Sequence, residues 1–78
     1  MNQCIINIIE KSVFVAFTQI VEKGSIEVWN LKGDEEPIII QDVLRTNFES
    51  INLQLKKGKY KLEITMDGKH ISKTISII

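Results

Sequence analysis

The strongest constraint on the fold is an alternating stretch near the C-terminus. Apolar residues occupy every second position, with polar residues between them: Tyr60, Leu62, Ile64 and Met66. A period of two is typical of a β-strand with one buried face. Asp67-Gly68 follows at once, a pair that tolerates positive φ and favours a two-residue type I′ hairpin. The sequence therefore predicts an antiparallel return strand.

The predicted return strand has three isoleucines on its inward face: Ile71, Ile75 and Ile77. Lys73 interrupts this apolar set and marks either the rim of a sheet or a bulge. Upstream, Ile51, Leu53 and Leu55 alternate with polar residues, and Gly58 supplies a turn before Tyr60. We interpret these three segments as consecutive strands of a meander.

The first half of the chain contains further short strand-like runs. Two of these runs, Ser25 to Leu31 and Ile38 to Ile40, flank Gly33-Asp34 and predict a hairpin. Two others, Cys4 to Ile9 and Val13 to Thr18, are apolar on both faces or nearly so. Gln41 to Asn47 stays open as a strand end, a loop or a helical turn. Together these segments predict one all-β domain over residues 1–78, an immunoglobulin-like β-sandwich of about seven antiparallel strands in two sheets.

Charge and hydropathy limit the classes of function. Ten basic and ten acidic side chains cancel over 78 residues, so no overall field attracts nucleic acid, and we expect no nucleic acid partner. No apolar run approaches the roughly 20 residues that span a bilayer, so we expect no membrane span. The N-terminus lacks the features of a signal peptide, as a mature secreted protein also does.

The chemistry-bearing residues stand apart from one another. His70 is the single histidine and follows a predicted turn, on the strand face that points to solvent. Cys4 is the single cysteine, and no base or second ligand is placed beside it. We therefore expect no catalytic residue, no metal site and no cofactor, and the chain is not expected to be an enzyme.

Trp29 is a candidate interaction residue. It shares a strand face with Glu27 and Leu31, opposite Ile26 and Val28, so either face can be the inward one. We favour packing in the core or against a sheet over an exposed platform for a ligand. An exposed Trp29 is the basis of an alternative function, a small carbohydrate-binding module.

The apolar N-terminal strand supplies two more candidate interaction residues, Ile6 and Ile8. If Cys4 to Ile9 lies at a sheet edge, its unpaired backbone groups and isoleucines favour pairing with another chain. The candidate partners are a protein of unknown identity or a second copy of the chain. The favoured alternative is pairing of this strand within its own sandwich.

The segment INLQLKKGKYKLEITMDGKHISKTISI combines a leucine strand, a Gly-x-Tyr turn, an Asp-Gly hairpin and a final isoleucine strand. With VFVAF and IEVWNLKGDEEPI upstream, it resembles a family of short, secreted, uncharacterised β-sandwich proteins from Bacteroides-like gut bacteria. The resemblance covers roughly residues 5–77. It implies an immunoglobulin-like fold and a secreted or periplasmic location, with Gly58 and Tyr60 as fold markers.

A second resemblance covers the last half of the chain. LKKGKYKLEI is similar to segments in the C-terminal sorting domains of type IX secretion, although this chain ends on Ile77 and Ile78 without the usual basic residue. Our leading hypothesis is a non-enzymatic domain with an interaction or structural role. A sorting domain and a carbohydrate-binding module are the alternatives.

Overall fold

The computed structural model describes residues 4–33 and 35–78, which form five antiparallel strands and no helix. The strands are β1 (Cys4–Ile9), β2 (Ser12–Asn30), β3 (Ile39–Asn52), β4 (Gly58–Met66) and β5 (Lys69–Ile77). The part of the chain that the structure describes accordingly contains no helix long and apolar enough to cross a membrane.

Strands β2 and β3 are long enough to take part in both layers of a sandwich. The first layer consists of β1, residues 12–17 of β2 and residues 48–52 of β3. The second layer consists of residues 39–44 of β3, residues 24–30 of β2, β4 and β5. Counted by segments, the five strands supply seven, so the predicted all-β, immunoglobulin-like architecture is confirmed.

The core lies between the two layers and is built from alternating side chains. Inward residues of β2 are buried in both layers, and inward residues of β4 and β5 are buried in the second. They are Val13, Val15, Phe17, Ile26 and Val28 of β2, Tyr60, Leu62, Ile64 and Met66 of β4, and Ile75 and Ile77 of β5. This packing explains the period of two in the sequence, because each strand covers the core with one face and meets solvent with the other.

The hairpin predicted at Asp67-Gly68 is confirmed. Met66 pairs with Lys69 across a two-residue turn, and both turn residues have positive φ, 48° at Asp67 and 86° at Gly68. Lys73 pairs in register with Leu62 and is exposed. It therefore lies at the rim of the second layer, and no bulge interrupts β5 there.

The first of the two strand pairings in the predicted meander, between β3 and β4, is wrong. β3 pairs with β2 alone among the described strands, and β4 lies between β2 and β5. Residues 53–57 instead cross from the first layer to the second, with the Leu53 side chain buried and its backbone N–H donating to Lys11 O at 2.8 Å. Alternation predicts strands, but it does not state which strands are neighbours.

A tyrosine closes this crossing. The Tyr60 hydroxyl, at the start of β4, donates to the carbonyl of Lys56 at 2.8 Å. A tyrosine bonded to the backbone a few residues upstream at this corner is a hallmark of immunoglobulin-like sandwiches. Tyr60 therefore combines a buried ring with a polar contact that holds the crossing segment.

The segment Gln41 to Asn47, left open by the sequence, belongs to the continuous strand β3. Arg45 has a positive φ of 51° and lies next to the register shift, which falls between Ala16 and Val21 on β2 and between Phe48 and Thr46 on β3. Neither irregularity carries a glycine, which is why the sequence did not reveal it.

Two contacts secure β2 just after that shift. The Asp67 carboxylate accepts backbone hydrogen bonds from Glu22 at 3.1 Å and from Lys23 at 3.0 Å. Gly24 brings its backbone so close to β4 that an added Cβ would lie 2.1 Å from the Thr65 carbonyl oxygen. The tip of the β4–β5 hairpin is thus fastened to the middle of β2.

Gly24→Ala is expected to destabilise the protein by about 1 to 3 kcal/mol, because the backbone of β4 must move to admit a methyl group. The control is Ser25→Ala, on the same strand but facing outward. Urea unfolding of both variants measures the difference, and equal midpoints would contradict the close approach at Gly24.

Asp67→Ala is expected to cost about 1 to 3 kcal/mol, because two backbone donors lose a charged acceptor and alanine disfavours positive φ. Asp67→Asn keeps one acceptor oxygen and the tolerance of positive φ, so its loss should be clearly smaller. Thermal unfolding of the pair tests this order, and the same loss in both would rule out the hydrogen bonds as the cause.

Candidate functional site

The first layer has an unusually apolar outer surface, which we call the apolar face: Ile5, Ile9, Phe14, Ala16 and Phe48. Ile5 pairs with Ala16, and Ala16 pairs with Phe48, so these three form one row across the layer. The rings of Phe14 and Phe48 stack with centroids 6.3 Å apart. Ile5 and Phe48 are 59% and 50% exposed, so this row meets solvent.

β1 forms one border of this face and is an edge strand. Within residues 4–33 and 35–78 it pairs with β2 only, so its other row of backbone groups has no strand beside it. The sequence predicted an interaction role for this strand only if the strand lies at a sheet edge, and the structure places it at one. Pairing with another chain remains a prediction.

The isoleucines of β1 divide between the two faces. Ile6 and Ile8 are half-buried and pack against the core, whereas Ile5 and Ile9 point outward and are exposed. At this edge the candidate residues Ile6 and Ile8 therefore present mainly the backbone of their strand, whereas Ile5 and Ile9 also present exposed side chains. Sequence reasoning missed this pair, although the alternation Val13, Val15, Phe17 in β2 predicts which side of the hairpin faces inward.

Cys4 begins the same strand on its inward face. Its side chain packs against the core, and this burial raises the pKa of the thiol, although the charge of Lys73 opposes the effect. Such a thiol is protonated near neutral pH and is a weak nucleophile.

The outer surface of the second layer is polar on β4 and β5, and it carries two exposed apolar residues on β3, Ile40 and Leu44. Trp29 lies on this surface near the end of β2. Trp29 is half-buried on this outer face, where its indole N–H donates to the Glu27 carboxylate at 3.0 Å. It packs against the sheet, outside the core, and lines a shallow groove with Lys61, Glu63 and His70. The groove combines an aromatic surface with groups of both charges.

Glu63 is the centre of the polar contacts beside this groove. It accepts hydrogen bonds from Ser72, its cross-strand neighbour, and from His70, whose Nε2 lies 2.7 Å away. The bond from Ser72 holds the pKa of the Glu63 carboxyl below its ordinary value, with a smaller contribution from His70, while partial burial acts in the opposite direction.

The order of these three groups matters for chemistry. In a serine nucleophile triad the imidazole lies between the hydroxyl and the carboxylate, so that it takes the hydroxyl proton. Here the carboxylate lies between the hydroxyl and the imidazole, and His70 Nδ1 bonds instead with the Thr65 hydroxyl at 3.2 Å. This arrangement stabilises the sheet surface and does not activate Ser72.

A wider cleft opens at one end of the sandwich, beside the turn of Glu10 and Lys11. Its lining is apolar at Ile8 and Ile78 and otherwise polar. One hydrogen bond joins two of its amides, with Gln54 Nε2 donating to Asn52 Oδ1 at 3.1 Å. In the described part of the chain no three His, Cys, Asp or Glu residues are grouped so that they could hold a metal ion.

Comparison with known proteins establishes the fold. No protein-family model and no curated protein matches the chain. Among solved structures, the chain is similar to an immunoglobulin-like β-sandwich protein of the DUF3244 family from Bacteroides vulgatus. The TM-score is 0.84 with 12% sequence identity, over 97% of this chain and 84% of that chain. The chain has the immunoglobulin-like β-sandwich fold, and this neighbour fits the uncharacterised bacterial family that the sequence resembles.

Proposed function

We propose that this chain is a non-enzymatic protein-interaction domain that acts outside the cytoplasm and binds its partner through the first layer. The observation that supports this function is the combination of an apolar outer face with an adjoining edge strand. Exposed apolar patches of this kind mark protein-binding surfaces, and an edge strand offers backbone hydrogen bonds to an added strand. The secreted or periplasmic location rests on the resemblance of the sequence to short secreted β-sandwich proteins.

The contrast between the first layer and the β4–β5 surface of the second also supports this assignment. Outward residues of β4 and β5 are charged or hydroxyl-bearing, such as Lys61, Glu63 and Thr74. Outward residues of the first layer include Ile5 and Phe48. Solubility favours polar residues at all these positions, so the apolar ones need another explanation, which a partner supplies.

Site-specific photo-cross-linking tests this function. A photoreactive phenylalanine analogue at Phe48 should form adducts with a specific protein in an envelope or secreted fraction of the source organism. The matched control places the analogue at Thr74, on the outer face of the second layer, where few adducts are expected.

Competition makes the test specific. Excess unlabelled chain should abolish the Phe48 adducts, whereas excess Ile5→Ser chain should compete poorly because it lacks part of the apolar face. Equal labelling at both positions, or equal competition by both chains, would show that the first layer is not the binding surface.

A carbohydrate-binding module is the second candidate function, supported by the position of Trp29 beside a polar groove. An indole ring offers a flat apolar surface to a sugar ring, and neighbouring Glu63 and Lys61 offer an acceptor and a donor to hydroxyl groups. The sorting-domain alternative rests on the sequence resemblance alone. The central strand of the resembling segment is β4, and β4 pairs with β2, which lies outside that segment.

Titration of the chain with a panel of glycans tests the carbohydrate candidate. Trp29 is the single tryptophan, so a bound sugar should change the intrinsic fluorescence, and Lys61→Ala should weaken the response. The control Lys59→Ala alters an exposed lysine of the same strand that does not line the groove. Unchanged fluorescence with every glycan would remove this function from consideration.

A further inference from the structure

We propose that two copies of this chain form a symmetric dimer in which their β1 strands pair antiparallel about Asn7. This inference rests on the proposed function and names a second copy as the partner of the β1 edge. Such pairing would join the first layers of both copies into one continuous sheet.

The first argument is that β1 differs from the other edges. The described strands at sheet borders are β1, β3 and β5. β3 contains Asp42, Arg45 and Glu49, and β5 contains Lys69 and Lys73. Charged residues on edge strands prevent unwanted pairing, and β1 has none between Cys4 and Ile9. Its register with β2 is also unbroken, so no bulge bends it away from an incoming strand.

The second argument is that the β1 sequence is complementary to itself. Residues 5–9 read Ile-Ile-Asn-Ile-Ile, which is the same in both directions. When two such strands pair antiparallel about Asn7, Ile5 lies opposite Ile9 of the second copy, and Ile6 lies opposite Ile8 of the second copy. A two-fold symmetric interface requires a surface that matches itself in this way.

The burial pattern of β1 agrees with this register. Ile6 and Ile8 both point into the core, so their pairing continues the two cores into each other. Ile5 and Ile9 both point outward, with exposed fractions of 59% and 62%, so their pairing covers apolar surface that each copy alone exposes. Apolar pairs directly opposite each other stabilise adjacent strands.

Asn7 selects this register over its neighbours. The smallest slip that keeps inward residues opposite inward residues is two positions, because side chains alternate. Such a slip places Asn7 opposite an isoleucine and removes the match on that face. At the two-fold axis, the two Asn7 amides instead face each other, and an amide can both donate and accept a hydrogen bond.

Disulfide trapping tests the axis directly. In a Cys4→Ser background, Asn7→Cys places two thiols opposite each other at the axis. Residues opposite each other in antiparallel strands have Cα atoms about 4.5 to 5.5 Å apart, which suits a disulfide. The matched control is Ser50→Cys, exposed in the same row of the outer face but two strands away.

Asn7→Cys should oxidise to a covalent dimer at least about ten-fold faster than Ser50→Cys, because pairing raises the local thiol concentration. Ile5→Cys and Ile9→Cys, each in the Cys4→Ser background, should cross-link when mixed and much less when alone. Equal rates for Asn7→Cys and Ser50→Cys would overturn the dimer, and cross-linking of Ile5→Cys alone as fast as the mixture would overturn the register.

Light scattering coupled to size exclusion provides a test without cross-links. The unmodified chain should shift from monomer to dimer mass as concentration rises. Asn7→Lys should stay monomeric, because it sets two ammonium groups opposite each other, while Ser50→Lys should still dimerise. A monomer at every concentration overturns the proposal. The Phe48 cross-linking experiment distinguishes failure of the dimer from failure of the proposed function, because Phe48 lies two strands away from the β1 edge: adducts at Phe48 with a monomeric chain would overturn the dimer alone.

Discussion

The whole architecture depends on the course of β2 through both layers. Its first segment pairs with β1 and its last with β4, while β3 follows it through both. Four residues of β2 lie between Ala16 and Val21, but only one residue of β3 lies between their partners Phe48 and Thr46. The extra residues bend the strand from one sheet into the other. The Asp67 carboxylate and the close approach at Gly24 fix β2 to β4 where its second segment begins, so a hairpin tip distant in sequence anchors the strand directly after its bend.

The sequence predicts those parts of the fold that local physics decides. The alternation in β4 and the Asp67-Gly68 turn were predicted because a buried face and a positive φ leave direct marks on residue type. The turn at Glu10 was not predicted, because its φ of 56° is adopted by a residue with no preference for that region. One neighbour of β4 was predicted wrongly: the strand beside it is β2 and not β3, because pairing across layers is set by the bend in β2 and not by the order of strands.

The candidate site shows the same limit. Cys4 to Ile9 carries isoleucines on both faces, so alternation within the segment cannot decide which isoleucines face outward. Pairing with β2 decides it, since Val13 and Val15 are buried and Phe14 and Ala16 lie on the opposite face. The inward face of the strand that contains Trp29 could not be predicted either, because apolar residues lie on both faces of that strand. It packs on the outer face because Ile26 and Val28 match the inward residues Ile64 and Leu62 of β4.

The two outer faces lead to opposite conclusions about what each layer does. On β4 and β5 of the second layer, polar side chains satisfy each other, as Glu63 does with Ser72 and His70, so this part of the surface needs no partner. In the first layer, Phe14 and Phe48 contact each other, yet Phe48 remains half exposed, and Ile5 and Ile9 lie beside an open edge. A sandwich this small stabilises itself through its inward residues, which are already buried. The apolar outer residues of the first layer therefore add little to the fold of one copy, and their contribution to stability becomes large only when another surface covers them.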